Sequence, residues 1–143
     1  MRLDPTMSWV QIRAAAEDAK TRGVIFESVR TRKKTQRYKV SDVGSNRITI
    51  HRMDAPARDS ECDITPELVN EIVSRINKSS DGLLWVDDEG LKGHSGQGAR
   101  TMVGLLHPLL TLEVRRNPET KRDRTYFVIG DNRKSDSEAA SGA

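Results

Sequence analysis

The chain of 143 residues is 35% hydrophobic, 4% aromatic and 31% charged, proportions that suit one domain with a modest aliphatic core and argue against both disorder and a second core. The formal charge is +3 with an isoelectric point near 9.2, and a single cysteine, Cys62, excludes an internal disulfide and every multi-cysteine zinc pattern. One cysteine suits a reducing cytoplasm. The start of the chain lacks a signal-peptide core and no run of about 18 apolar residues occurs, which argues against secretion and a membrane span.

In chain order, Ser8 is the expected cap of a first helix with Trp9, Ile12, Ala16 and Ala19 at helical spacing, basic residues in its last turn and Gly23 as its stop. Residues 1–7 then read as a leader. VIFESVR (24–30) and RYKVSDV (37–43) read as strands rich in β-formers, separated by a basic stretch. A turn at Gly44, Ser45 and Asn46 leads into RITIHRM (47–53), with Ile48 and Ile50 on one face and Arg47, Thr49, His51 and Met53 on the other. Residues 54–63 read as a polar loop. Thr65 and Pro66 open a second helix with a stripe of Leu68, Val69, Ile72, Val73 and Ile76.

LLWVDDEG (83–90) reads as a strand leaving the core through three acids, followed by the glycine-rich GHSGQGAR (93–100) and a helix that ends or bends before Pro108. LEVRR and RTYFVIG form a hairpin around NPETKRD, and the polar residues 131–143 read as a disordered tail. The expected fold is therefore a single α+β domain over residues 8–130. Its order is α-β-β-β-α-β-α-β-β, a mainly antiparallel sheet with helices packed on it.

Short motifs do not reveal a catalytic site. Gly98 is followed by Ala99 and Arg100, where a phosphate-binding Walker loop needs Lys and Ser or Thr; Gln97 stands where a nucleophile turn needs glycine. What remains of GHSGQGAR is a glycine hinge before a helix N-terminus, with Arg100 as a possible phosphate contact. Asp87 or Asp88 with Glu113 loosely imitate the carboxylates of a metal-dependent nuclease, but Arg115 replaces the lysine such a site uses. His51, His94 and His107 are scattered, and no metal or other cofactor is expected; His107, just before Pro108, reads as a helix-terminal residue complementing the dipole.

Charge placement carries more information. Residues 30–52 hold eight bases against Asp42, residues 54–90 hold ten acids against three bases, and residues 92–124 hold seven bases against three acids. In RTRKKTQRYK (30–39) six of ten residues are cationic, so Arg30, Arg32, Lys33, Lys34, Arg37 and Lys39 would project from a tip between two strands and displace counterions from DNA or RNA. Arg47, Arg52 and Arg100 would support them, as would the second basic group of Arg115, Arg116, Lys121, Arg122 and Arg124 if both hairpins share a face. The expected partner is nucleic acid, most readily DNA. The alternatives are the divergent nuclease, and a protein-interaction domain whose acidic surface (Glu67, Glu71, Asp87 to Glu89) meets a basic partner.

The run KTQRYKV, RITIHRMD, ITPELVNEIVSRI resembles the small β-β-α modules found beside nuclease domains in bacterial restriction-type proteins, where such modules are taken to contact DNA. About a third of the chain carries the likeness. It implies an isolated recognition or accessory module, with no catalytic residues to carry over.

Overall fold

The computed structural model describes residues 2–28, 36–54, 60–92 and 97–130, and within them the first helix starts earlier than the sequence predicts. Helix α1 (Pro5–Arg22) is capped by Asp4, whose carboxylate accepts the Met7 N–H, and it ends at Gly23 in the left-handed region at φ 66. An acidic cap followed directly by proline outcompetes Ser8 because Pro5 has no N–H to leave unsatisfied and its φ is already helical. Ser8 instead lies buried inside the helix. Leu3 is buried too, and its backbone N–H and carbonyl both bond the Asn77 amide at 2.8 Å. From Leu3 onward the presumed leader is thus part of the fold. The expected tail, 131–143, lies outside the described residues.

The α+β class and the predicted succession of elements hold, with two additions. Strands β1 (Phe26–Glu27), β2 (Arg37–Val43), β3 (Ile48–Arg52) and β4 (Glu61–Ile64) form one antiparallel sheet in that order. Strand β4 occupies what reads as loop: Glu61 and Asp63 face out while Cys62 and Ile64 pair inward with Ile50 and Ile48. Four residues with two charges are too short and too polar to announce a strand, yet this is how edge strands are built. Over its described residues the segment expected to follow a β-β-α pattern is accordingly β-β-β-α, with β4 inserted before helix α2 (Pro66–Lys78).

Helix α2 is capped by the Thr65 hydroxyl and buries Leu68, Val69, Ile72, Val73 and Ile76, as its stripe predicts. After it come β5 (Leu83–Trp85), a single turn α3 (Glu89–Lys92), α4 (Gln97–Leu106), β6 (Leu110–Arg116) and β7 (Asp123–Ile129). The last three strands form a separate antiparallel sheet in the order β5-β7-β6. Among the described residues the chain therefore forms two sheets where one was expected.

Helix α4 joins the two sheets. Near its start a Cβ on Gly98 would stand 3.2 Å from both Cys62 Sγ and Tyr38 Cε1 of the first sheet; near its end a Cβ on Gly104 would stand 2.5 Å from Leu112 Cδ2 and 3.2 Å from Phe127 Cδ1 of the second. Only glycine lets one short helix approach both sheets this closely. Its buried Ala99, Met102, Val103 and Leu106 fill the space between. Helix α1 packs on β2 and α2, so Ile12, Ala16 and Ala19 complete the core.

Immediately after α4 lies His107, fully buried. Its Nδ1 accepts the Leu109 N–H at 3.0 Å, which leaves the proton on Nε2, 2.8 Å from Ser8 Oγ. Burial pushes its pKa down to about 4. The imidazole is therefore a neutral clasp between α4 and α1, not a cation complementing a helix dipole, because desolvation disfavours the charged ring.

Candidate nucleic-acid interface

The residues expected to form one basic surface are distributed over both sheets. Arg30, Arg32, Lys33 and Lys34, expected at the tip of the first basic hairpin, lie outside the described residues, as do Gly93, His94, Ser95 and Gly96 of the glycine-rich stretch. At the base of that tip, Arg37 and Lys39 project from the outer face of the first sheet. Alternation sets them in a row with acids and a histidine: Arg37 lies opposite Glu27 and pairs with Asp54 at 3.0 Å, while Lys39 lies opposite His51, itself opposite Glu61. The Arg37 guanidinium and backbone N–H hold the Asp54 carboxyl below its ordinary range. This face is mixed in charge.

Arg47 is exposed at the β2–β3 turn, where its carbonyl accepts the Gly44 N–H. The length of β2, about 20 Å at the usual rise, separates it from Arg37. Arg52 departs further from expectation. In β3 it follows the parity of Ile48 and Ile50, not of His51, and its register partner is the buried Tyr38. Its Nη2 donates to Gln36 Oε1 at 3.3 Å, Tyr38 Oη donates to the same oxygen at 2.7 Å, and the buried Arg52 Nε has no hydrogen-bond partner. Cys62 sits beside this group, its thiol pushed up to about 11 by burial. Arg52 is thus wedged under α4 and does not share a face with Arg47.

Arg100 is 4% exposed. Its Nε donates to the Val86 carbonyl at 2.8 Å and its Nη2 to Asp87 Oδ1 at 3.2 Å. A guanidinium fork fits this task, since it satisfies a buried carbonyl and a carboxylate together. The expected phosphate contact is instead a brace between α4 and the end of β5. Asp87 is thereby engaged. Its neighbour Asp88 caps the α3 turn through the Gly90 N–H at 2.9 Å and faces Arg75 at 3.4 Å. Glu113 accepts from Arg115 Nε and Nη2 at 3.0 and 2.7 Å. Each of the three carboxylates suggested as a nuclease centre is therefore matched to a different arginine, and among the described residues no group of three or more His, Cys, Asp or Glu could hold a metal ion.

The second basic group does converge. A turn in which the Lys121 N–H donates to the Asn117 carbonyl, and Asn117 Oδ1 accepts from Glu119 and Thr120, closes the β6–β7 hairpin. Lys121 takes the left-handed conformation at φ 57. Arg115 pairs with Arg124 and Arg116 with Asp123 across the strands, so five cations crowd one end of the second sheet against Glu113, Glu119 and Asp123. Arg116, Lys121 and Arg122 are exposed and make no ion pair among the described residues.

Two residues that charge counting overlooks belong to the same sheet. Leu84, Phe127 and Leu112 lie in one register row and face α4. The next row, Trp85, Tyr126 and Glu113, must face the other way. Trp85 and Tyr126 are both part-exposed, and the Arg124 guanidinium carbon lies 3.9 Å from the centre of the Trp85 ring. The signal was present in RTYFVIG and LLW: in each, period-2 alternation sets an aromatic residue opposite in phase to a buried Phe127 or Leu84. The two basic hairpins themselves belong to different sheets with α4 between them.

Among the described residues no helix is long and apolar enough to cross a membrane. No family model matches the chain, and neither a curated protein nor a solved structure matches it.

Proposed function

We propose that the protein is a nucleic-acid-binding module that holds the phosphate backbone with exposed arginine and lysine side chains and acts in the cytoplasm. The observation that carries this reading is the β6–β7 hairpin, where Arg115, Arg116, Lys121, Arg122 and Arg124 gather on one end of a sheet and all but Arg115 make no ion pair among the described residues, Arg116 lying opposite Asp123 in the ladder. Cations so placed release condensed counterions when they meet a polyanion, which supplies affinity without requiring base contacts. The segment RTRKKTQRYK is a second source of the same chemistry, and the likeness of residues 34–76 to DNA-contacting modules of restriction-type proteins makes DNA the first partner to try.

The test is fluorescence anisotropy with labelled single- and double-stranded DNA and RNA over a range of salt. Replacing Arg116, Lys121 and Arg122 together by alanine is expected to weaken binding and to flatten the plot of log affinity against log salt by roughly 2 to 3, about 0.7–0.9 per lost contact. The Arg32, Lys33, Lys34 triple-alanine variant probes the other tip. If the wild type binds none of the four, or if both triple variants keep wild-type affinity and salt dependence, the reading fails.

A further inference from the structure

The chain has six aromatic residues besides its histidines: two Trp, two Tyr and two Phe. Tyr38 and Phe127 are buried in the core, and Trp9 and Phe26 pack against it. A protein this poor in aromatic rings nevertheless places its remaining two, Trp85 and Tyr126, directly opposite one another on the sheet face turned away from α4. Leu83 and Val128 form the neighbouring register pair on that face, and Arg124 and Arg115 form the pair on its other side. The face thus runs from Leu83 and Val128, with Thr111 beside them, through two amphipathic rings flanked by Glu113, to a pair of cations of which, among the described residues, Arg115 is paired with Glu113 and Arg124 makes no ion pair.

We propose that this face is a stacking platform for the unpaired bases of a single-stranded nucleic acid, an inference that rests on the nucleic-acid reading above and specifies the form of the ligand. Tyr126 offers ring surface to one base, and Arg124, which covers one face of the Trp85 indole at 3.9 Å, extends the Trp85 stack by presenting its guanidinium plane to the next while its N–H groups remain able to meet phosphate. Lys121 and Arg122, in the turn at the same end of the sheet, continue the positive track for the backbone, while Arg116 has the opposite parity and lies across from Asp123. The charge at that end matches a polyanion, and the rings match bases freed from their own stacks. A duplex keeps its bases stacked on each other and cannot offer them to a flat sheet face.

The experiment uses the full chain, labelled oligo(dT) and oligo(U) of about 15 nucleotides, and a blunt duplex of similar length. Trp85→Leu and Tyr126→Leu are each expected to lower single-strand affinity about ten-fold and to leave duplex affinity unchanged. In the wild type, tryptophan emission is expected to be quenched as either single strand is added, since Trp9 packs against the core and Trp85 lies on the binding face. Emission of the unaltered protein keeps the test meaningful should a variant fold poorly. If single strands bind but neither leucine variant weakens them and emission does not change, the platform is wrong while the phosphate-binding reading stands. Equal losses for duplex and single strands also overturn the platform, and absence of any nucleic-acid binding by the wild type removes both.

Discussion

Acidification between pH 7 and pH 4 should strip stability from this protein through one residue, His107. In the folded chain its ring is fully buried, accepts the Leu109 N–H at Nδ1, faces Ser8 Oγ from Nε2, and has a pKa lowered from 6.5 to about 4 by desolvation. In the unfolded chain the ring returns to its ordinary value and takes up a proton as pH drops through 6.5. Because the folded state refuses that proton until about pH 4, the unfolded state binds more protons throughout the window, and stability rises with pH there. The contribution is complete above the unfolded pKa and is lost progressively as pH falls toward the folded one.

A gap of about 2.5 pKa units at 1.36 kcal/mol each corresponds to roughly 3 kcal/mol in all, of which roughly 2.5 kcal/mol is lost between pH 7 and about pH 4.5. That is a large share of the 5–15 kcal/mol typical of a domain. Urea unfolding followed by circular dichroism near these two pH values, for the wild type and for His107→Gln, isolates the term. The variant is expected to be less stable at neutral pH, having lost the clasp, yet to lose roughly 2.5 kcal/mol less on acidification. The Asp54 carboxyl, held below its ordinary 3.8 first by the Arg37 side chain, loses its stabilising effect only below this window and in both proteins alike. Equal acid losses in the two proteins, or an NMR titration that places the His107 ring near pH 6.5, would refute the reasoning.

Two further substitutions test how α4 is seated. Gly104→Ala gains up to about 1 kcal/mol of helix propensity but drives a Cβ to 2.5 Å from Leu112 Cδ2 and 2.7 Å from its Cγ, an overpacking of about 1–3 kcal/mol. A net loss of stability is expected, and it should shrink or reverse in a Leu112→Ala background; a double-mutant cycle in urea showing no coupling rules the contact out. Arg100→Met removes the partner of the Val86 carbonyl and of Asp87, and because Asp87 is 33% exposed the loss is expected at roughly 3 kcal/mol, the low end for a broken buried pair. Arg100→Lys should recover only part of it. A stable Arg100→Met protein that has lost oligonucleotide binding would return Arg100 to the phosphate-contacting role.

The sequence by itself determined the elements whose signals are local. Apolar stripes at helical spacing set α2, alternation set β2, β3 and the β6–β7 hairpin, and Thr65, Gly23 and Pro108 marked boundaries through backbone chemistry that operates within a turn or two of each residue. One boundary signal misled because two local caps competed at the first helix, and Asp4 followed by Pro5 prevailed over Ser8 once Leu3 found a place in the core and Asn77 met its backbone. Strand β4 was invisible because four residues acquire a strand's geometry only from the β3 ladder beside them. The candidate site divided in the same way. That cations cluster at 115–124 was legible, since a tight hairpin keeps close in space what is close in sequence. Whether an arginine meets solvent or a buried carbonyl was not: Arg52 and Arg100 are spent on the packing of α4, and Trp85 meets Tyr126 across forty residues of chain. Those outcomes depend on which strands pair and which face a helix covers, and long-range packing alone decides that.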